Sequence, residues 1–221
     1  ASVLGWVDGT YNWSNMYSRI RATNIAIANL PTATFTNSTL RDRLIGEAYF
    51  LRAYYYQQLL SYYGGVPIIH KVYTLDEDYE AGRNTYAECV AAIVNDCDSA
   101  AIMLAGKTDV KGRATKLAAL TLKSRVLTYA ASDLHDVPTM KAKSAELASY
   151  SNPEFLGYLS GERAARWNAA LSATKEALDA SNGGYKLNLT APVTAEEGKL
   201  NYVSMAMAGA SGDKSLDASA S

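Results

Sequence analysis

Trp6, Asp8, Tyr11, Asn12 and Trp13 crowd into one short stretch near the start of the chain. Aromatic rings stack on the apolar faces of pyranoses, while a carboxylate and an amide pair with hydroxyls, so these residue types on one segment suit a sugar. Glycines at 5 and 9 and the lack of any helical or strand period make the segment a loop, which is where binding residues concentrate. A second reading stays open: Trp6 and Trp13 can simply cover the end of the helices that follow.

Catalytic chemistry has fewer candidates. The chain has two histidines. His135 sits in Ser132-Asp133-Leu134-His135-Asp136, two carboxylates beside an imidazole, yet neighbours in sequence do not by themselves converge on one ion, so this is read as a local turn. His70 follows Val66–Ile69 and is read as a loop or rim residue. Asp76, Glu77, Asp78 and Glu80 offer oxygen ligands without the glycine-punctuated spacing of a calcium loop, and are read as solvated. Glu47 lies inside a tyrosine-rich helix; a glycosidase needs a carboxylate pair set by space rather than by sequence, and the reading adopted is an ion pair with Arg43 one turn back, with Arg52 farther along. Gly-Lys-Ser phosphate loops, His-Glu-x-x-His and Gly-x-Ser-x-Gly are all missing. Asn-x-Ser/Thr triplets at Asn12, Asn37 and Asn188 are expected by chance. No catalytic residue, metal ligand or cofactor is assigned.

The elements that must position the aromatic loop are helices. Met16, Ile20, Ile27 and Leu30 recur at helical spacing up to Pro31, and Ala22 and Ala26 offer a small-residue face to a neighbour. The strongest pattern is Arg41 to Tyr63: Leu44, Ala48, Leu51, Tyr55, Leu59 and Tyr62 form one stripe, and Phe50, Ala53, Leu60 and Tyr63 a second, so this helix is expected to be covered on several sides. Gly64-Gly65 supplies its left-handed stop, and Val66-Pro67-Ile68-Ile69 is a short extended piece. Thr85 and Glu88 form a capping box before a face of Tyr86, Cys89, Ile93, Cys97, Ala100 and Leu104, with Gly106 as the stop. Thr115 caps a helix carrying Leu117, Leu120, Leu127 and Ala131, with Leu122, Val126 and Tyr129 alongside. A weaker helix lies between Thr139 and Tyr150, and Glu162–Ser181 presents Trp167, Leu171, Thr174 and Leu178 before Gly183-Gly184 and an extended Tyr185-Lys186-Leu187. Residues 13–63 and 85–131 share one layout, which predicts an all-α fold of tetratricopeptide-like hairpins with irregular loops and little strand; the 34-residue period is not clean, and a generic helical bundle is the alternative on pattern alone. Residues 1–190 form the helical domain and 191–221 a loop or truncated end.

Charge narrows the partners. Lys plus Arg is 21 against 22 Asp plus Glu, which gives no electrostatic reason to bind nucleic acid. Cys89 and Cys97 lie eight residues apart on one helix, so their Cα atoms are about 12 Å apart, beyond the ~7 Å reach of a disulfide; both are expected to be free, buried thiols. No apolar run of about 18 residues marks a membrane span, and the N-terminus lacks the pattern of a leader, so either the protein is cytosolic or a leader has been removed.

Several stretches, in order, resemble the SusD/RagB family of outer-membrane nutrient-binding lipoproteins: Trp13, Tyr17, Ile20 and Asn24; Gly46-Glu47-Ala48-Tyr49-Phe50-Leu51-Arg52-Ala53-Tyr54-Tyr55-Tyr56 with Tyr63-Gly64-Gly65-Val66-Pro67; Arg83, Asp96 and Ala100; Gly112-Arg113-Ala114-Thr115 through Ala118-Ala119, Leu122, Arg125 and Tyr129; and Trp167-Asn168-Ala169-Ala170 with Gly184-Tyr185-Lys186-Leu187. The resemblance implies a helical superhelix, a lipid anchor on a processed N-terminal cysteine, surface exposure at the outer membrane, and a SusC-like TonB-dependent transporter to which captured oligosaccharide or peptide is delivered. Family members run to more than twice this length, so the chain is expected to be an N-terminal portion. The matched motifs are structural, and the site residues Trp6, Asp8, Tyr11, Asn12 and Trp13 rest on the loop argument alone. Two rivals remain at this point: a tetratricopeptide scaffold for a peptide or protein partner, and a carbohydrate-active hydrolase using Glu47 or an acid near Asp76.

Overall fold

The computed structural model describes residues 9–74, 76–78, 80–107, 111–182, 194–197 and 199–200. The chain divides into two compact units, Ala1–Ala177 and Leu178–Ser221, and the architecture below belongs to the first. Its helices are α1 (Trp13–Asn29), α2 (Ser38–Tyr63), α3 (Tyr86–Met103), α4 (Lys116–Ala131), α5 (Val137–Lys143), α6 (Ala145–Ala148) and α7 (Arg163–Ser181), with one-turn 3-10 helices at Asp133–His135 and Pro153–Phe155. Among the described residues there is no strand, only an isolated parallel bridge between Asp136 and Tyr158. None of the described helices is long and apolar enough to cross a membrane.

Helix starts follow local chemistry. Asn12, Asn37, Thr85, Thr115, Asp136 and Ser144 each accept a hydrogen bond from a backbone N–H of the first turn, satisfying donors that a helix leaves unpaired. Thr85 and Glu88 complete the capping box. Gly64 ends α2 at φ +72°, a conformation that a side chain rarely tolerates. The weak helix expected over 139–150 is two short ones, because Ser144 turns extended and caps α6. The Gly183-Gly184 stop and Tyr185–Leu187 lie outside the described residues.

α1 and α2 form one hairpin and α3 and α4 a second, with α2 against α3. These are the tetratricopeptide-like hairpins of the expected all-α fold. The main core gathers Met16 and Ile20 from α1, Tyr56 and Leu59 from α2, Ile93 and Cys97 from α3 and Val126 from α4. Every residue expected on the face of α3, from Tyr86 to Leu104, is buried. Cys89 and Cys97 are free and buried; burial raises the Cys97 thiol to about 12, so it stays protonated.

Two faces differ from expectation. On α2 the buried line is Ile45, Gly46, Ala48, Arg52, Ala53, Tyr56, Leu59 and Leu60, whereas Leu51 and Tyr62 remain 38% and 50% exposed. The helix is rotated toward its small residues: a Cβ on Gly46 would press on Leu104 and Met103, so α3 passes closest there. On α7 the buried residues are Ala170, Ala173 and Ala177, while Trp167 and Leu171 face outward at 44% and 52% exposure. Ala177 joins a second cluster with Ala100, Ala101, Leu104, Ala119 and Leu120. The alanine side chains face the neighbouring helices, and a polar bridge links α7 to α3 and α4: Lys123 of α4 pairs with Asp98 and Glu176. The Ala22–Ala26 face of α1 is likewise open, lining a shallow groove with Leu30, Leu44, Leu51 and Tyr55.

Buried tyrosines tie the helices to the extended piece after α2. Tyr17 donates its hydroxyl to the Pro67 carbonyl at 2.7 Å, and the Tyr56 hydroxyl accepts from the Ile69 N–H at 2.7 Å. Burial raises the pKa of both phenols, keeping them neutral. Asn24 adds a bond to the Ile69 carbonyl at 2.8 Å. These contacts replace the ladder that residues 66–69 lack.

Candidate functional site

The α1–α2 hairpin brings the first turn of α1 against the last turn of α2, and the aromatic residues meet there. Trp13 packs edge-on to Tyr63 with centroids 5.3 Å apart and lies 5.0 Å from Tyr17. Tyr11 stacks on Tyr62 at 6.1 Å and 29°, and a hydrogen bond with Tyr11 is the main cause raising the Tyr54 phenol. Asn12, Trp13, Ser14, Tyr62, Tyr63 and Arg83 line a cleft of about 680 Å³. Trp13 stays 39% exposed and Tyr62 50%, so ring surface faces solvent here, whereas the other α1 and α2 rings are half-buried or, at Tyr56, fully buried. Such amphipathic rings beside polar groups can stack a sugar ring and hydrogen-bond its rim.

Of the five residues the sequence suggests, Tyr11, Asn12 and Trp13 come together here, and Trp6 and Asp8 lie outside the described residues. Asn12 is also structural: its side-chain oxygen accepts from the Asn15 N–H at 2.9 Å, leaving its amide hydrogens for other partners. Sequence reading missed Tyr62, Tyr63 and Arg83 as site members. Arg83 donates from Nε to the Gly65 carbonyl and from its terminal nitrogen to the Tyr63 carbonyl, each at 2.7 Å, and lies over the Phe155 ring at 4.3 Å. That clamp fixes the end of α2 and hence the two tyrosines. An antiparallel hairpin necessarily places the end of its second helix beside the start of its first, which is the signal that points to Tyr62 and Tyr63.

The acids considered for catalysis are engaged elsewhere. Glu47 is gripped by both arms of Arg113, 66 residues later, so it is an ion-paired acid, but its partner comes from the loop between α3 and α4, whereas the sequence suggested Arg43, and Arg52 is committed to Asp96. Asp133 pairs with Lys143 and Arg163, and Asp136 pairs with Arg166 while capping Thr139. Glu77 accepts from Lys71 and from the Thr74 N–H. His135 stacks on Tyr86 at 4.2 Å and 19° and faces the Leu156 carbonyl with Nδ1 at 2.8 Å. This is a packed turn, as its sequence suggests.

The histidines give a pH prediction. Burial lowers the pKa of His135 against a smaller opposing pull from the Leu156 carbonyl, and burial followed by the Arg52 charge lowers that of His70. Both bind a proton more readily unfolded than folded, so their contribution is whole above about pH 6.5 and is lost as pH falls through their folded values. The carboxylates with lowered pKa, Glu77, Glu88, Asp133 and Asp136, begin to lose theirs only below about pH 4. Urea unfolding is therefore expected to show a lower midpoint at about pH 5.5 than at about pH 7.5. His135→Phe should flatten that difference; a slope identical to wild type would remove His135 as its source.

Comparison with known proteins gives this arrangement its context. Residues 3–128 match a family model named SusD-like and described as starch-binding, associating with outer membrane. SusD-like protein P38 of Formosa agariphila is 31% identical over 120 residues, which is 53% of this chain and 22% of that protein. Among solved structures, a SusD-like protein from Bacteroides fragilis is 34% identical, with a TM-score of 0.51 over 62% of this chain and 26% of its own. BT4246 is 26% identical, with a TM-score of 0.69 over 91% of this chain and 39% of its own. The chain thus spans well under half the length of each. The family model covers more than half of this sequence, and its helical hairpins are those of the solved relatives: this chain belongs to the SusD-like family.

Proposed function

We propose that this chain is part of a non-catalytic, lipid-anchored surface protein that captures oligosaccharide at the outer membrane and passes it to a SusC-like TonB-dependent transporter. The observation that carries the reading is the solvent-facing aromatic cleft of Trp13, Tyr62 and Tyr63 in a family described as starch-binding. Stacking by two or three rings, with hydrogen bonds from the Asn12 amide and Ser14, is the means of binding. Glu47 held by Arg113 supports binding over hydrolysis, because an acid committed to a cation is poorly placed to act as a proton donor.

Isothermal titration of the full chain against starch oligosaccharides and a panel of other neutral glycans tests this. Tyr62→Ala removes a ring that the core does not need and is expected to weaken the best ligand by roughly tenfold, the loss of about one stacking contact. Trp13→Ala should weaken it at least as much. Equal affinity in both variants would move the site away from the cleft, and new reducing ends appearing on incubation would overturn the non-catalytic reading. The open groove between α1 and α2 favours a second reading, a scaffold for an apolar peptide; binding of peptides but of no glycan would decide for it.

A further inference from the structure

A second pocket opens beside the last two turns of α2, on the side facing α4. Its volume is about 470 Å³, within the range of small-molecule sites. Gln57 and Ser61 form one wall, Arg125 and Tyr129 of α4 the other, and Tyr86 with His135 the floor. This composition is unlike a packing defect, which would be apolar and closed. The ring of Tyr129 is 57% exposed.

The polar groups here are held and still have capacity. Gln57 accepts from Gln58 at 2.8 Å and donates to the Ser61 hydroxyl at 3.1 Å, and Ser61 donates to the Gln57 carbonyl at 2.9 Å. The amide is thus oriented, with one N–H to spare. His135 must carry its hydrogen on Nδ1, because the Leu156 oxygen can only accept; Nε2 of the neutral ring is therefore an acceptor open to a donor. Arg125 makes no hydrogen bond or ion pair among the described residues, and none of the pocket's lining residues is a carboxylate. By contrast Arg113, Arg163 and Arg166 are each committed to an acid.

We propose that this pocket is a second saccharide subsite, selective for an acidic sugar: a uronate whose carboxylate pairs with Arg125, whose apolar face lies on Tyr129, and whose hydroxyls meet His135 Nε2 and the Gln57 amide. A hydroxyl donated to His135 Nε2 and a ring laid on Tyr129 separate a sugar from a simple carboxylate, and the Arg125 guanidinium, with no acid paired to it among the described residues, separates an acidic sugar from a neutral one. Ser61 lines this pocket and Tyr62 the cleft, so both subsites adjoin the last turn of α2. The inference rests on the glycan reading above and adds charge selectivity to it.

The test is titration of the full chain with three probes: uronate-containing oligosaccharides, the same oligosaccharides with their carboxylates reduced to alcohols, and acetate. Wild type is expected to prefer the acidic form by about tenfold, a preference that shrinks with added salt. Arg125→Gln, an exposed change, should abolish the preference and leave the affinity for neutral glycans at the Trp13–Tyr62 cleft unchanged. Tyr129→Ala should weaken the acidic oligosaccharides by removing the ring on which the sugar lies. Equal affinity for acidic and reduced forms, a preference surviving Arg125→Gln, or acetate binding as tightly as the uronate would each overturn this proposal while leaving the cleft intact. Absence of binding to any glycan would overturn both.

Discussion

Arg52→Leu is expected to destabilise the fold by about 3–5 kcal/mol, the effect of leaving one member of a buried ion pair without its partner. The Arg52 and Asp96 side chains are 6% and 5% exposed, and the guanidinium grips the carboxylate with two bonds of 2.7 Å while its third nitrogen donates to Asn24 at 2.8 Å. Removing it leaves a carboxylate in the seam between α2 and α3 and frees Asn24, which anchors the Ile69 and Lys71 carbonyls. Domains of this size have only about 5–15 kcal/mol in total, so the loss is a large share. Urea denaturation gives the number. A double change, Arg52→Met with Asp96→Leu, should recover much of it, since two apolar residues leave no orphaned charge. A loss below about 1 kcal/mol in the single variant would mean that water reaches the pair.

That pair also marks where sequence reading stopped. Periodicity and capping are local, and they located α1 to α4 well: Thr85 with Glu88, Thr115, Pro31 and Gly64 each act over a few residues. The apolar stripe of α3 was legible because it is unbroken from Tyr86 to Leu104, although the buried Asp96 beside it was not part of that stripe. The face of α2 was not, because the most buried line contains Arg52 and Gly46, which no hydropathy pattern assigns to a core. Arg52 is buried only by virtue of Asp96, 44 positions away. On α7 the face was inverted: Ala170, Ala173 and Ala177 went inward, and Trp167 and Leu171 stayed out.

The candidate site was half legible for a related reason. Tyr11, Asn12 and Trp13 drew notice as a cluster in sequence, but the rings that complete the cleft, Tyr62 and Tyr63, arrive from the far end of the hairpin, and Arg83 from the loop before α3. Read as a stripe, Tyr62 belonged to the interior; its 50% exposure puts its ring on the candidate cleft instead. The same revision applies to Glu47, whose partner comes from the second hairpin. In each case the missing information was a long-range pairing that only the packed helices supply.

Gly65→Ala should destabilise the protein by about 3 kcal/mol or more, and it carries the consequence from fold to site. Gly64 and Gly65 are often taken together as a helix stop, yet their roles differ. Gly64 supplies the positive φ. Gly65 has no such demand: a Cβ there would overlap the Asn84 carbonyl oxygen and sit 3.1 Å from backbone atoms of Thr85 and Tyr86. Backbone cannot rotate away as a side chain can, so the end of α2 and the start of α3 must separate. Three contacts weaken with that separation: Arg83 to the Gly65 carbonyl, the Asn84 N–H to Val66, and the Gly65 N–H to Phe155 at 2.7 Å. Because Arg83 also holds the Tyr63 carbonyl, glycan affinity at the cleft should fall even at temperatures where the variant stays folded. Gly82→Ala is the control: nothing lies within 4 Å of its Cβ, so its stability should stay within about 0.5 kcal/mol of wild type. If Gly65→Ala behaved like Gly82→Ala in denaturation, the close crossing of these two segments would be wrong, and with it the account of how Tyr62 and Tyr63 are fixed.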